Sequence, residues 1–375
     1  QVTTVGDDEA MILAALAAAE QRSEIILITG GLGPTHDDIT RSVMCQYFQC
    51  DLILNPVVLD QIRERFRHRG LPLAKSNESQ AMAPRAAQVI YNRQGTAPGY
   101  HFERSGRHMY VMPGVPHEMQ GMMSESILPE IRARQTGWFM ESKIFCTNGI
   151  AESMLYEKIG DPAEVERWAK MAFLPAPSGV QVRLIAQGAS ADEARQKLEQ
   201  AAARVAERAG RYIYADHECT LEQVVAELLV QRQATVAAAE SCTGGLVAHK
   251  LTNIAGSSAY FERGVVCYSN RAKTELLQVP AALIEQHGAV SEQVAAAMAE
   301  NVRRLAGVDY GIATTGIAGP GGGSDDKPVG LVFIGVADKT GSQCERHVYS
   351  GERWLNKERF ANSALNLLRK KILGL

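Results

Sequence analysis

A chain of 375 residues, 46% apolar and 22% charged, is long enough for two or three soluble domains, each with its own core. A net charge of −3 supplies no basic field to draw it to nucleic acid or an anionic membrane, so an acidic ligand has to be held by local features. No apolar run approaches the ~20 residues of a membrane span. The seven cysteines, at 45, 50, 146, 219, 242, 267 and 344, form no CxxC pair and read as reduced, buried thiols in a cytoplasm. The nine histidines do not fall among them at zinc-ligand spacing, so no zinc site is expected.

The chain opens on Gln1 and enters a helical pattern almost at once. An α/β domain ordinarily opens on a buried strand, so the expectation is that the natural N-terminus lies further upstream. Residues 9–21 predict a helix with Asp7 or Asp8 as its N-cap. Residues 24–29 (EIILIT) predict a strand covered on both faces. It runs into a glycine-rich turn and then a helix from about Ile39, which makes a βα unit with its loop at the ligand-binding end of the strand. Residues 58–69 predict a basic amphipathic helix. Residues 89–91 and 109–112 predict later strands, each followed by a Gly/Pro loop. This first domain is expected over 1–136.

The pattern changes near Gly137. Strands are expected at 142–148 and 180–186 and helices at 150–159 and 191–208, a small α+β unit over 137–217 that connects its neighbours and has no site of its own. It resembles a KH-like fold. It has no GxxG clamp between helices and no basic surface, so RNA is not an expected partner. From 218 to 375 the order is helix (221–232), strand (235–239), Gly-rich turn, helix (245–252), strand (264–268), helix (292–305), strands (310–315 and 330–337) and a final helix (355–372). That alternation predicts a three-layer α/β/α domain.

In Ala239-Glu240-Ser241-Cys242-Thr243-Gly244-Gly245 a serine stands between a buried strand and a helix N-terminus. Gly244 and Gly245 let backbone N–H groups approach a ligand, and such groups can stabilise an oxyanion. A serine hydroxyl needs a base to become a nucleophile. No GxSxG motif occurs and no histidine is placed for that role. The remaining candidate is Lys273, in Tyr268-Ser269-Asn270-Arg271-Ala272-Lys273, on the first turn of a predicted helix. A Ser–Lys pair requires neutral lysine, so burial or a nearby cation has to depress its pKa. The loop from Thr314 and Thr315 through Gly316, Gly319 and Gly323 offers consecutive N–H groups as a phosphate nest, and Arg353 offers a fixed cation.

The segments ESCTGG, AGSSAYFERGVVCYSNRAK, HGAVSE and TGIAGPGGGSDDKPVG resemble the CinA C-terminal family, the nicotinamide-nucleotide amidohydrolases, over about 220–375. The resemblance implies hydrolysis of nicotinamide mononucleotide to nicotinate mononucleotide and ammonia, without a cofactor. It puts the nucleophile on Ser241 and the base on Lys273, with Thr243, Tyr268, Asn270, Thr315 and Arg353 as further site residues.

In the first domain, Gly30-Gly31-Leu32-Gly33-Pro34-Thr35-His36-Asp37-Asp38 joins a glycine turn for phosphate to two adjacent carboxylates. Carboxylates beside a phosphate repel it unless a hard cation such as Mg²⁺ lies between them, which points to metal-assisted phosphate-ester or pyrophosphate chemistry. Two more loops, around Gly95 (NRQGTAPG) and Pro113-Gly114 (MPGVPHEM), complete a likeness to the molybdopterin-binding-like domain of full-length CinA proteins. The likeness implies a MogA/MoaB-type three-layer α/β fold and ADP-ribose pyrophosphatase activity in pyridine nucleotide salvage. Asp7 and Asp38 match acidic positions of that fold and, with Asp37, are the expected metal ligands. The family's opening strand and GTE-type loop have no counterpart here, which puts the activity of this domain in question. The expected partners are small nucleotides, with no nucleic acid and no membrane, and the expected assembly is a homodimer. The alternatives are an amidohydrolase with a merely nucleotide- or pterin-binding front domain, and a non-enzymatic partner in competence.

Overall fold

The structure is a computed structural model describing residues 1–68, 70, 72, 79–134 and 137–375. Arg69, the expected end of the helix over 58–69, and Thr136, the expected end of the first domain, lie outside them. The chain divides into two compact units, Gln1–Thr136 and Gly137–Leu375.

The first unit opens with α1 (Glu9–Arg22), capped by Asp8, whose Oδ1 accepts from the Met11 N–H at 2.9 Å. β1 (Ile25–Thr29), α2 (Thr40–Tyr47), β2 (Leu52–Leu54), α3 (Pro56–His68), β3 (Met82–Pro84), β4 (Ala87–Ile90), β5 (Gly99–Arg104) and β6 (Arg107–Met112) follow, then α4 (Pro116–Met122) and α5 (Leu128–Ala133). The main sheet has the order β1-β6-β5-β4, with β1 and β6 parallel and the other pairs antiparallel. Tyr100, Phe102, Met109 and Val111 face one core with Ile12 and Leu16 of α1, while Tyr110 and Met112 face a second with Met122 and Ile127. β1 departs from expectation. Ile26 joins the first core, but Ile25 and Leu27 on the opposite face are 39% and 48% exposed, so only one face is covered.

The second unit begins with β7 (Phe139–Thr147), α6 (Glu152–Ile159), α7 (Ala163–Glu166), β8 (Ala169–Ala176), β9 (Gly179–Gly188), α8 (Ala191–Ala209) and β10 (Ile213–Ala215). The four strands form an antiparallel sheet, β10-β7-β9-β8. Alternating Val180, Val182, Leu184 and Ala186 meet Leu198, Ala201 and Val205 of α8, which is the amphipathic pairing the periodicity predicts.

Next come α9 (Leu221–Gln231), β11 (Val236–Glu240), α10 (Leu246–Thr252), β12 (Phe261–Val266), α11 (Asn270–Leu277), α12 (Ala281–His287), α13 (Glu292–Ala306), β13 (Tyr310–Gly316), β14 (Leu331–Asp338), β15 (Gly341–Val348) and α14 (Arg353–Leu373). Their sheet runs β12-β11-β13-β14-β15, with the first three strands parallel and the last two antiparallel. Side chains of β11 alternate between its faces: Val236 and Ala238 pack under α9, α10 and α14, and Ala237 and Ala239 under α11 and α13. The domain is therefore three-layer α/β/α. Midway along α14, the Asn362 Nδ2 donates to the Pro177 carbonyl between β8 and β9 at 3.4 Å. All seven cysteines are free, though only Cys146, Cys242 and Cys267 are fully buried.

Candidate active site

The parallel strands β12, β11 and β13 end side by side: Glu240 is in register with Val266 and Thr314. Residues just past those ends therefore converge, as at the ligand-binding edge of any open α/β sheet. Ser241 is held there by its own N–H, which donates to the Thr314 carbonyl at 3.0 Å, and Cys267 by donation to the Glu240 carbonyl at 2.8 Å. Lys273 arrives from the first turn of α11, whose N-cap Ser269 accepts from the Ala272 N–H at 3.1 Å.

Lys273 is 2% exposed and Ser241 is 8% exposed. The Lys273 Nζ lies 3.0 Å from the Ser241 Oγ and 3.1 Å from the Cys267 carbonyl oxygen. The Nζ donates to both oxygens; once deprotonated, the amine keeps one N–H for the carbonyl and has a lone pair to offer the serine O–H. Burial pushes the Lys273 pKa down, with the neighbouring thiols of Cys267 and Cys242 opposing. The depression thus comes from desolvation, not from Arg353. Cys242, next to Ser241, is no rival nucleophile, since burial pushes its thiol up to about 12.

Glu240 was not expected to matter, and it organises the turn. Its carboxylate is 1% exposed and accepts from the N–H groups of Gly245 at 2.9 Å, Val247 at 3.0 Å and Ala248 at 2.8 Å. It thereby satisfies amides at the start of α10 that have no intrahelical partner. An acidic residue closing an apolar strand just before a helix was the available signal.

A cavity of about 280 Å³ opens beside the pair. Of the expected residues, Tyr268, Asn270, Thr315, Gly316, Gly319 and Arg353 line it with Ser241 and Lys273. Ala289 and Val290 were not expected and line it too; the Thr315 hydroxyl donates to the Ala289 carbonyl at 2.7 Å. Arg353 closes the rim, donating to the Gly319 carbonyl at 2.6 Å and to the Tyr268 hydroxyl at 2.9 Å. Gly319 has φ +91°, and a Cβ there would lie 2.6 Å from Val329, so the rim needs glycine at that point.

Three expected residues do not line the cavity. Thr243 is fully buried, its hydroxyl 2.7 Å from that of Thr314, a brace between strand ends. The Gly244 amide donates to the Ser241 carbonyl at 3.2 Å and that of Gly245 to Glu240, so neither is free for a ligand. Of this turn only Ser241 and Cys242 line the cavity.

In the first unit, parallel pairing of β1 with β6 brings two of the three glycine loops to one edge. The Gly30 N–H donates to the Met112 carbonyl at 3.0 Å, and a Cβ on Gly114 would lie 3.3 Å from the Gly30 Cα. Gly31, with φ +65°, packs directly on Thr40 at the start of α2. Gly33 and Thr35 lie against Asp38, whose carboxylate accepts from the Thr35 N–H at 3.0 Å and from its hydroxyl. Burial raises the Asp38 pKa, but the Thr35 bonds outweigh it and hold the carboxyl below its ordinary value; Thr35 lowers that of Asp37 too. Gly95 sits apart, against the Glu118 carboxylate, in a loop closed by Asn92, whose Oδ1 accepts from the Gly95 N–H at 2.7 Å. It lines a cavity of about 620 Å³ against α3, which the residue 30–38 loop does not reach.

The expected metal trio is not assembled. Asp7 stands exposed before α1, and Asp38 is engaged in closing its own loop. Among the described residues the side chains that bring three metal-ligand atoms together are His101, Glu103 and His108.

Family models match the whole arrangement in chain order. Residues 218–372 match the CinA C-terminal domain, 142–215 the KH domain of damage-inducible protein CinA, and 1–133 a domain described as "Probable molybdopterin binding domain". A CinA-like protein of Salinibacter ruber is 40% identical over 374 residues, covering 99% of this chain and 90% of the relative. The chain belongs to the CinA family. A CinA-like protein of Geobacter sulfurreducens is likewise 40% identical over 371 residues, covering 99% of this chain and 90% of its own. A crystal structure of a competence/damage inducible protein from Agrobacterium tumefaciens is 39% identical, covers 40% of this chain and 92% of that one, and has a TM-score of 0.39. The small antiparallel domain is therefore the CinA KH domain, and the front sheet is the molybdopterin-binding-like fold.

Proposed function

We propose that the C-terminal domain hydrolyses nicotinamide mononucleotide to nicotinate mononucleotide and ammonia. The observation that carries the reading is the buried 3.0 Å contact between the Lys273 Nζ and the Ser241 Oγ beside a cavity. Ser241 Oγ attacks the carboxamide carbon while Lys273 takes its proton. The tetrahedral oxyanion faces the Cys242 amide, and its collapse expels ammonia with the proton returned by Lys273. Lys273 then deprotonates a water that cleaves the acyl ester and restores Ser241. Arg353 and the residue 316–323 loop hold the substrate phosphate. The test is ammonia release from a panel of amides and nucleotides, by purified protein without added metal. Ser241→Ala is expected to abolish it with the fold intact; a near-wild-type rate in Ser241→Ala, with loss in Thr243→Ala, overturns the assignment of the nucleophile.

A second activity, ADP-ribose pyrophosphatase chemistry in the first domain, is favoured by one observation: the glycine loops after β1 and β6 share an edge with Asp37 and Asp38. With the trio not assembled, Asp37 and Asp38 would hold Mg²⁺ together with the substrate's own phosphates, and the ion would neutralise the charge of the leaving phosphate. AMP release from ADP-ribose with and without Mg²⁺ tests it. We further propose a role in pyridine nucleotide salvage in the cytoplasm, and a homodimer as the assembly, which light scattering tests.

A further inference from the structure

The first unit carries a second chemical cluster away from its glycine loops. β5 and β6 form a hairpin turning at Ser105 and Gly106, with φ of 53° and 75°, both left-handed as a type I′ turn requires. Its register sets His101 opposite Tyr110 and Glu103 opposite His108, so all four side chains share one face of the sheet. Glu130 of α5 and Arg134 just beyond it reach this face. Both imidazoles are buried, and the His101 ring stacks on Tyr110 with centroids 4.3 Å apart.

Arg134 settles where the protons lie. It can only donate, and its Nη1 is 3.2 Å from the His108 Nε2, so that nitrogen is an acceptor and His108 carries its proton on Nδ1. The His108 Nδ1 is 3.0 Å from the His101 Nε2, which must then accept. His101 carries its own proton on Nδ1, facing the Glu130 Oε1 at 3.3 Å. Glu130 also accepts from the Arg134 Nη2 at 2.9 Å, and the ring of four groups closes with both imidazoles neutral.

We propose that His101, His108 and Glu103 form a site for one transition-metal ion of the zinc class. Two imidazole nitrogens on one tetrahedral zinc stand roughly 3.3 Å apart, given bonds of about 2.0–2.1 Å. The facing nitrogens here are 3.0 Å apart, so their separation changes little on binding, while each ring turns to aim its lone pair at a common point off the line between them. The Glu103 Oε2 lies 3.8 Å from the same His108 nitrogen, and the three ligand atoms fall within 4.8 Å of one another. Glu130 behind the His101 Nδ1 completes the carboxylate–histidine–metal arrangement that fixes a ligand's tautomer. Filling the site requires the His108 proton to pass, through solvent, from Nδ1 to Nε2. Arg134 faces that nitrogen and has to swing away, which its 44% side-chain exposure permits. Arg134 thus competes with the metal. The site contains no cysteine and its histidines are joined only by the hairpin, so the search for Cys–His spacing could not have found it.

The test is titration of the metal-free full chain with Co²⁺ and Zn²⁺, read by the visible ligand-field bands of Co²⁺ and by calorimetry. One equivalent per chain is expected. His101→Ala and His108→Ala remove the bands, and Glu130→Gln weakens binding about 10- to 100-fold. Glu103→Gln, on the exposed rim, lowers affinity without touching the core, so the proposal remains testable if a histidine variant fails to fold. Arg134→Ala binds at least as tightly as wild type. Asp37→Asn with Asp38→Asn leaves the bands unchanged, which separates this site from one for Mg²⁺. Absence of stoichiometric Co²⁺ binding at millimolar metal, or bands that persist in His101→Ala, overturns the proposal.

Discussion

Replacing Lys273 by Met separates the chemistry of the proposed base from its place in the core. The side chain is 2% exposed, and its amine makes two contacts, to the Ser241 Oγ and the Cys267 carbonyl. Met fills nearly the same space without a proton acceptor. Loss of a general base costs about 10²- to 10⁴-fold in rate, or roughly 3–5 kcal/mol of barrier. Stability should move far less. The Cys267 carbonyl loses a donor, at about 1–3 kcal/mol, while the penalty for burying an amine disappears. The pH dependence carries a sign. Burial sets the folded pKa of Lys273 below its ordinary 10.5, so between the two values the unfolded chain binds more protons than the folded one. Stability therefore rises with pH through that window, and the rise is missing from Lys273→Met. The same ionisation sets the acidic limb of kcat/KM in the wild type, below the ordinary lysine value. Ammonia release and urea unfolding, each across pH, read both effects. Lys273→Met retaining more than about a tenth of wild-type kcat/KM, against the loss expected of a base, would refute the Ser–Lys reasoning, as would an unchanged alkaline stability slope.

Glu240→Gln should lower both stability and kcat. Its amide NH₂ must face at least one of three backbone N–H groups now held by carboxylate oxygens, at about 2–4 kcal/mol, and thermal unfolding with steady-state kinetics measures the two losses. Chelation by EDTA should leave ammonia release intact and stop any pyrophosphatase activity, because Asp37 and Asp38 stand in the first unit and no carboxylate lines the cavity beside Ser241; ammonia release that falls on chelation counts against this division. Nicotinamide riboside should be a much poorer substrate than the mononucleotide, and Arg353→Ala should narrow that gap; equal kcat/KM for the two substrates in the wild type refutes a phosphate role for Arg353.

The meeting of Ser241 with Lys273 was legible because it rests on local signals: an apolar strand, a serine, two glycines, and a lysine one turn into a capped helix. The partners of Thr243 and Glu240 were not. A hydroxyl beside a nucleophile looks like a ligand contact, and only the parallel register of β11 with β13 reveals that Thr243 meets Thr314 instead. β15 escaped because it is an edge strand with polar residues on both faces, Ser342 through His347, and so shows no period. β5 escaped for the opposite reason, since Tyr100, His101 and Phe102 are all buried and do not alternate. Asp7 was placed with Asp38 by likeness to a fold, which fixes no distance between them.

The length of α14 joins two parts of the second unit mechanically. Its 21 residues make a rod of about 30 Å, with Arg353 at the rim of the cavity and Asn362 on the Pro177 carbonyl nine residues along. An α-helix barely compresses along its axis, so those two contacts hold a fixed spacing. The cavity rim and the β8–β9 hairpin of the KH domain are thus both fastened to one stiff element. Its middle is braced on the connecting domain while its first residue borders the cavity.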